Sequence, residues 1–223
     1  MDAPPYGLME PLEWAKLVIR SRSERDYREA LSILGERAAR GDAYAELMLG
    51  LVHARGQGVE RDFGIAADLL GRSAAQGNLS AMYFLGKIHV RGYGTDKDAR
   101  KAMECFRVPA EHGDARAQYA MGLIRFDGQG VERDLAESAG WFAAAAAGGH
   151  SEAQFVLGQL YKAGVGVPRD IDAALDLLTS AAANGHRGAM ILLGSMYASG
   201  DGVAADEAAA RRWDEMAAVT SDR

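Results

Sequence analysis

Apolar residues recur along this chain at helical spacing and are interrupted at fixed intervals by glycine. From 43 to 55, Ala45, Leu49 and Val52 fall three or four residues apart, which predicts a helix buried along that stripe. Gly56 ends this helix, and Gly58 permits a backbone conformation that other residues resist. Val59 is expected to tuck beneath the loop. Asp62 then takes an N-cap position, its carboxylate facing the free N–H groups of a second helix over 63–76. That helix carries Ala66, Leu69, Leu70 and Ala74 on one face. Gly41 can end a preceding helix in left-handed geometry, and Asp42 can cap the first one. The predicted unit is a helix–loop–helix hairpin.

The unit recurs. The heptapeptide GQGVERD stands at 56–62 and again at 128–134, and half of that separation is the period. Gly50, Gly86, Gly122, Gly158 and Gly194 are spaced by 36 residues, as are Ala45, Ala81, Ala117, Ala153 and Ala189. Asp62, Asp98, Asp134, Asp170 and Asp206 keep the same step. Such columns hold 20 of the 27 glycines, so glycine here is architectural. Five full repeats are read at 41–76, 77–112, 113–148, 149–184 and 185–220, followed by a short tail, 221–223. A degenerate capping copy is read over 1–40, with Trp14 where the others have glycine. Stacked hairpins predict an all-α, superhelical α-solenoid with a 36-residue period.

Several positions carry local expectations. Small residues such as Gly50 and Ala45 allow close helix approach. Leu70, Phe106, Phe142 and Leu178 share a column that ends in Asp214, as suits a last helix facing water. Asp26 with Glu29, and Asp134 with Glu137, have capping-box spacing. Pro109 predicts a kink or an early helix end.

Net charge −6 and a pI of about 5.4 argue against nucleic acid as the main partner, though not against a local basic patch. The lone Cys105 leaves no internal disulfide framework and is expected to be a buried apolar residue. The start, MDAPPYGLMEPLEW, lacks the basic and apolar regions of a secretory signal. No apolar stretch reaches the roughly 18 residues of a membrane span. The expected location is the cytoplasm.

Repeat four assembles Ala153, Leu157, Gly158, Tyr161, Gly164, Gly166, Val167, Asp170, Ala174, Ala181, Ala182 and Gly185. This pattern resembles the Sel1-like repeat, a relative of the tetratricopeptide repeat. The resemblance covers about 41–220 clearly and 5–40 weakly. Departures are local: His53, His89 and Arg125 replace the tyrosine, and Thr95 the valine. The resemblance implies a right-handed superhelix and an adaptor scaffold that holds proteins or peptides on its concave face. A secreted branch of the family, with paired cysteines in each repeat, binds β-lactam-type ligands; this chain lacks those cysteines.

Catalytic motifs are missing. Gly56-Gln57-Gly58 has no third glycine, no preceding strand and no P-loop lysine. No G-x-S-x-G, S-x-x-K or H-E-x-x-H occurs. His53 and His89 stand one repeat apart, roughly one helix spacing of ~10 Å, where a shared zinc is a poor fit. His150 and His186 fall in the helix-A cap column and read as structural. No catalytic residue, metal or cofactor is expected.

A partner surface is expected opposite the core stripe of the first helix, at positions 44, 48, 51 and 55 and their equivalents. At 55/91/127/163/199 stand Arg, Arg, Asp, Ala and Ser, and at 51/87/123/159/195 stand Leu, Lys, Leu, Gln and Ser. The core columns repeat and these do not. Drift at a solvated face and partner-specific contact both explain that. The neighbouring column, Leu47, Tyr83, Tyr119, Phe155 and Ile191, is consistently large and apolar, suiting either inter-helix packing or hydrophobic anchoring. The candidate site comprises Tyr44, Leu51, Arg55, Tyr83, Lys87, Arg91, Arg116, Tyr119, Leu123, Phe126 and Asp127. Its expected partner is a protein or peptide with acidic and apolar side chains, bound by a monomer. A β-lactam-type hydrolase and a self-assembling array are the alternatives.

Overall fold

The computed structural model describes residues 27–220, which form eleven α-helices and no strand. The expectations placed on Trp14, Asp26 and the rest of 1–26, and on 221–223, lie outside the described residues. In chain order the helices are α1 (Tyr27–Ala39), α2 (Ala43–Arg55), α3 (Phe63–Ala75), α4 (Leu79–Arg91) and α5 (Ala99–Glu111). They continue with α6 (Ala115–Asp127), α7 (Leu135–Ala147), α8 (Ser151–Ala163), α9 (Ile171–Ala183), α10 (Arg187–Ser199) and α11 (Glu207–Val219). Even-numbered helices are the first of each hairpin (helix A) and odd-numbered ones the second (helix B). The chain divides into two compact units, Met1–Pro109 and Ala110–Arg223, with the end of α5 at the boundary.

Each hairpin is built as its residues dictate. Asp42 accepts from the Ala45 N–H at 2.9 Å and starts α2. Gly56 closes it at φ +67°, left-handed geometry that favours glycine. Asp62 accepts from the Ile65 N–H at 2.9 Å and starts α3. The Asp62 N–H in turn donates to the His53 carbonyl at 3.1 Å. The same link joins Asp98 to His89, Asp134 to Arg125, Asp170 to Tyr161 and Asp206 to Tyr197. The loop is thereby pinned at both ends.

That link corrects the capping-box reading. Asp134 does accept from the Glu137 N–H at 2.9 Å. Glu137 does not reach back, because the Asp134 N–H is already spent on Arg125. Its carboxylate pairs instead with Arg125 Nε at 2.8 Å and accepts from Trp141 Nε1 at 3.1 Å. Pro109 does not end its helix early, for α5 runs through it to Glu111. Proline's fixed φ is itself helical, and this close to the helix end it removes only one backbone donor.

Helix A and helix B of a hairpin meet glycine against large side chain. A Cβ on Gly50 would lie 2.8 Å from Leu70 Cγ, and one on Gly122 would lie 2.6 Å from Phe142 Cε1. Phe142 and Leu178 are wholly buried within the second unit, as Leu70 and Phe106 are in the first. Asp214 takes the same place against Gly194 but is exposed, the polar member of a column that is otherwise buried and apolar.

Successive hairpins are joined by the second loop glycine and by a polar contact. Gly94 abuts the Phe63 backbone and Gly166 abuts that of Leu135, the first residues of the preceding B helices. Val59 packs, as expected, on the cluster formed by Tyr27, Ala30 and Leu34. Buried side chains near the start of helix A reach the end of the preceding helix B. Gln118 Nε2 donates to the Ala110 carbonyl at 2.9 Å and Gln154 Nε2 to that of Ala146 at 3.2 Å. At the equivalent Glu46 the job passes to Arg72, which pairs with the Glu46 carboxylate and donates to the Ala38 carbonyl at 2.9 Å.

Candidate functional site

The surface columns sort by what they touch. Met48, placed by its 100° position on the open face, is only 6 % exposed and packs with Ala45 and Val52 against α1. A helix inside a stack is covered by its own partner helix and by the preceding hairpin, so the open arc is narrower than a lone helix suggests. Leu47 is likewise buried, against Ala66, Leu70, Ala81 and Ile88, and serves as packing. Ile191 in the last repeat remains 47 % exposed.

In the first unit, four candidate residues come together. Leu51 and Arg55 of α2 with Lys87 and Arg91 of α4 line a single cavity of about 390 Å³. Its floor is Leu70, Phe84 and Ile88. Phe63 and Tyr93, which the sequence reading passed over, form one wall and stack at 4.6 Å between ring centroids. Lys87 Nζ stands 5.7 Å from the centre of the Tyr83 ring, which lies edge-on to Phe84. Tyr83 therefore backs the cavity without lining it. Tyr44 belongs elsewhere, at the opposite end of α2, half-buried against the α1–α2 cluster. Arg55 and Arg91 occupy last turns, where helix carbonyls favour cations.

In the second unit, α6 carries the remaining five. Arg116 is not an available cation: its guanidinium takes both oxygens of the Asp114 cap, Nη2 at 2.6 Å and Nε at 3.0 Å. That pairing holds the Asp114 carboxyl below the ordinary range. Tyr119 is half-buried, stacked on His150 at 4.6 Å and tilted against Phe142 at 5.6 Å. Desolvation and the nearby Glu152 push its phenol up to about 12, so it is a neutral, structural ring. Leu123 and Asp127 are exposed. Phe126 is half-buried with the Arg133 guanidinium over its ring at 5.5 Å.

The histidines act as helix caps, as expected of His150 and His186. Their Nδ1 atoms accept from the Ala153 and Ala189 N–H groups at 3.3 and 3.1 Å. Among the described residues no group of three or more His, Cys, Asp or Glu could hold a metal ion. No described helix is long and apolar enough to cross a membrane.

The Sel1 repeat family model matches residues 43–78, 79–114, 115–150, 151–186 and 188–218. The chain belongs to the Sel1 repeat family. Proteins of this family are associated with protein–protein interaction, and their scaffold is generally non-catalytic. A Sel1 repeat protein from Oxalobacter formigenes has the same fold, with TM-score 0.85 and 26 % identity over 95 % of this chain and 86 % of that one. A protective antigen of uropathogenic Escherichia coli strains, also a Sel1-like repeat fold, matches with TM-score 0.88 and 28 % identity over 95 % of this chain. The chain spans 46 % of the length of that antigen structure. An immunity protein from Pseudomonas aeruginosa shares the fold at TM-score 0.57 and 16 % identity, over all of this chain and 86 % of that one. No curated protein matches the chain.

Proposed function

We propose that this Sel1 repeat protein is a non-catalytic adaptor, regulator or immunity-type inhibitor. It acts in the cytoplasm as a monomer that holds a protein or peptide on its helix A surface. The observation that carries the reading is the contrast between columns. Core positions repeat from hairpin to hairpin, while the exposed positions at the ends of α2 and α4 concentrate cations beside aromatic rings. Drift at a solvated face accounts for columns that vary, and the gathering of Arg55, Lys87 and Arg91 beside Phe63 and Tyr93 in one cavity is what favours partner contact. The fold shared with an immunity protein supports an inhibitor-type role by analogy of architecture alone. The single cysteine argues against the ligand chemistry of the cysteine-paired branch.

The test is affinity capture from the source organism's lysate followed by mass spectrometry, with wild type and an Arg55→Glu/Arg91→Glu variant side by side. A partner enriched on wild type and lost on the variant, with helical content and melting temperature retained, is the expected result. A chain that captures no protein, or that hydrolyses a chromogenic β-lactam, overturns the reading.

A further inference from the structure

We infer that the cavity between α2, α3 and α4 is an anchor pocket for an acidic peptide segment. One large apolar side chain enters it, and flanking carboxylates meet Arg55, Lys87 and Arg91. The inference deepens the protein-binding reading and rests on it.

Three observations point to this occupant. The first is size and lining. About 390 Å³ falls at the small end of the roughly 300–1,000 Å³ typical of ligand pockets, and the floor is apolar. Leu70 is 1 % and Ile88 4 % exposed, whereas Tyr93 on the wall is 46 % exposed and offers ring surface to a visitor. An aromatic or leucine side chain entering here gains burial against rings on one side and aliphatic carbons below.

The second observation is charge. The protein carries net charge −6, yet three exposed cations line this one cavity. Among the described residues, none of the three is ion-paired to a carboxylate. Lys87 and Arg91 are four residues apart on α4, a spacing at which like charges repel across one helical turn. An anion bound between the two would relieve that repulsion.

The third is that the constellation does not recur. Where Arg55, Lys87 and Arg91 stand together, the next interval has Arg91, Leu123 and Asp127, and the last has Ala163, Ser195 and Ser199. Tyr93 is replaced by Gln129, Val165 or Asp201, and Phe63 by Ala99, Leu135 or Ile171. A feature needed to join one hairpin to the next would appear at every junction.

The experiment measures fluorescence anisotropy of a labelled Asp-Glu-Asp-Trp-Glu-Asp peptide with the full chain. Three comparison probes are an analogue with alanine for tryptophan, an Asn/Gln analogue without charge, and a labelled oligothymidylate. Saturable binding of the first peptide is expected, at least tenfold tighter than either analogue and weakened by added salt. Arg55→Glu/Arg91→Glu and, separately, Tyr93→Ser should each weaken it tenfold or more while the melting temperature stays within a few degrees. Equal binding of the alanine analogue reduces the site to bare charge and overturns the proposal. Equal binding of the neutral analogue, tighter binding of the oligothymidylate, or no saturation below about 1 mM overturns it too. A natural partner captured equally by wild type and both variants removes this pocket while leaving the wider protein-binding reading intact.

Discussion

A Cβ placed on Gly86 would stand 2.6 Å from Cε1 of Phe106, inside any tolerable contact. The ring is 1 % exposed and has no room to withdraw. Gly86→Ala should therefore destabilise the fold by about 1–3 kcal/mol, the range of overpacked cores. Gly71 in α3 is a helix glycine whose added Cβ would meet nothing within 4 Å. Gly71→Ala should gain about 0.5–1 kcal/mol through helix propensity and a less disordered unfolded chain. Urea unfolding of the two variants checks the pair, and two equal effects of one sign would refute the packing account.

Arg72 offers a second test. Glu46 is 1 % exposed, and its carboxylate is held by Arg72 and by Gln76 Nε2 at 2.8 Å. Arg72→Ala leaves a buried charge with one neutral donor and frees the Ala38 carbonyl. The expected loss is about 2–4 kcal/mol in urea unfolding. Adding Glu46→Gln should restore much of it, since Gln118 and Gln154 already fill that position in other repeats. A double variant no more stable than the single one would show that the charge is not the cause.

Much of this architecture is legible in the sequence, because the 36-residue step repeats each contact. Gly56 and Asp62 mark the loop and Gly50 marks a close helix approach before any coordinate is known, while the fold shows that Leu70 is what fills the space beside it. What is not legible depends on who already holds a group. Glu137 cannot complete a capping box when the Asp134 N–H is committed to Arg125. Arg116 resembles a free cation until Asp114 is seen to take it. Met48 is lost to the face because a helix wheel contains no neighbours. Phe63 and Tyr93 were visible only as exceptions in their columns, and their stacking across 30 residues needed the fold.

Cys105 is half-buried, and burial with Glu104 nearby pushes its thiol up to about 11. Against the ordinary 9.0, that leaves about a hundredfold less thiolate at any pH well below both values. Iodoacetamide at pH 8 should modify the native chain at least tenfold more slowly than the urea-unfolded chain, measured by intact mass. Equal rates would place the thiol in water.

His150 makes stability depend on pH. In the folded chain its Nδ1 must be unprotonated to accept from the Ala153 N–H at 3.3 Å, and its ring stacks on Tyr119. Burial lowers its pKa below the ordinary 6.5 and Arg116 acts the same way, while Glu152 and Asp114 pull it up. In the unfolded chain the ring takes a proton near 6.5, so over this window the unfolded state binds more protons and stability rises with pH. The contribution is complete above 6.5 and is lost as pH falls through the lower folded value. Below that, an imidazolium at a helix N-terminus has no lone pair to offer and faces the positive end of the helix. His89, also lowered by burial, adds to the slope in the same direction. His150→Asp restores the cap chemistry that Asp42 and Asp114 use in other repeats and removes this proton. Urea midpoints measured at pH 8 and pH 5.5 should fall further for wild type than for His150→Asp. If the two fall together, the ring is not what titrates.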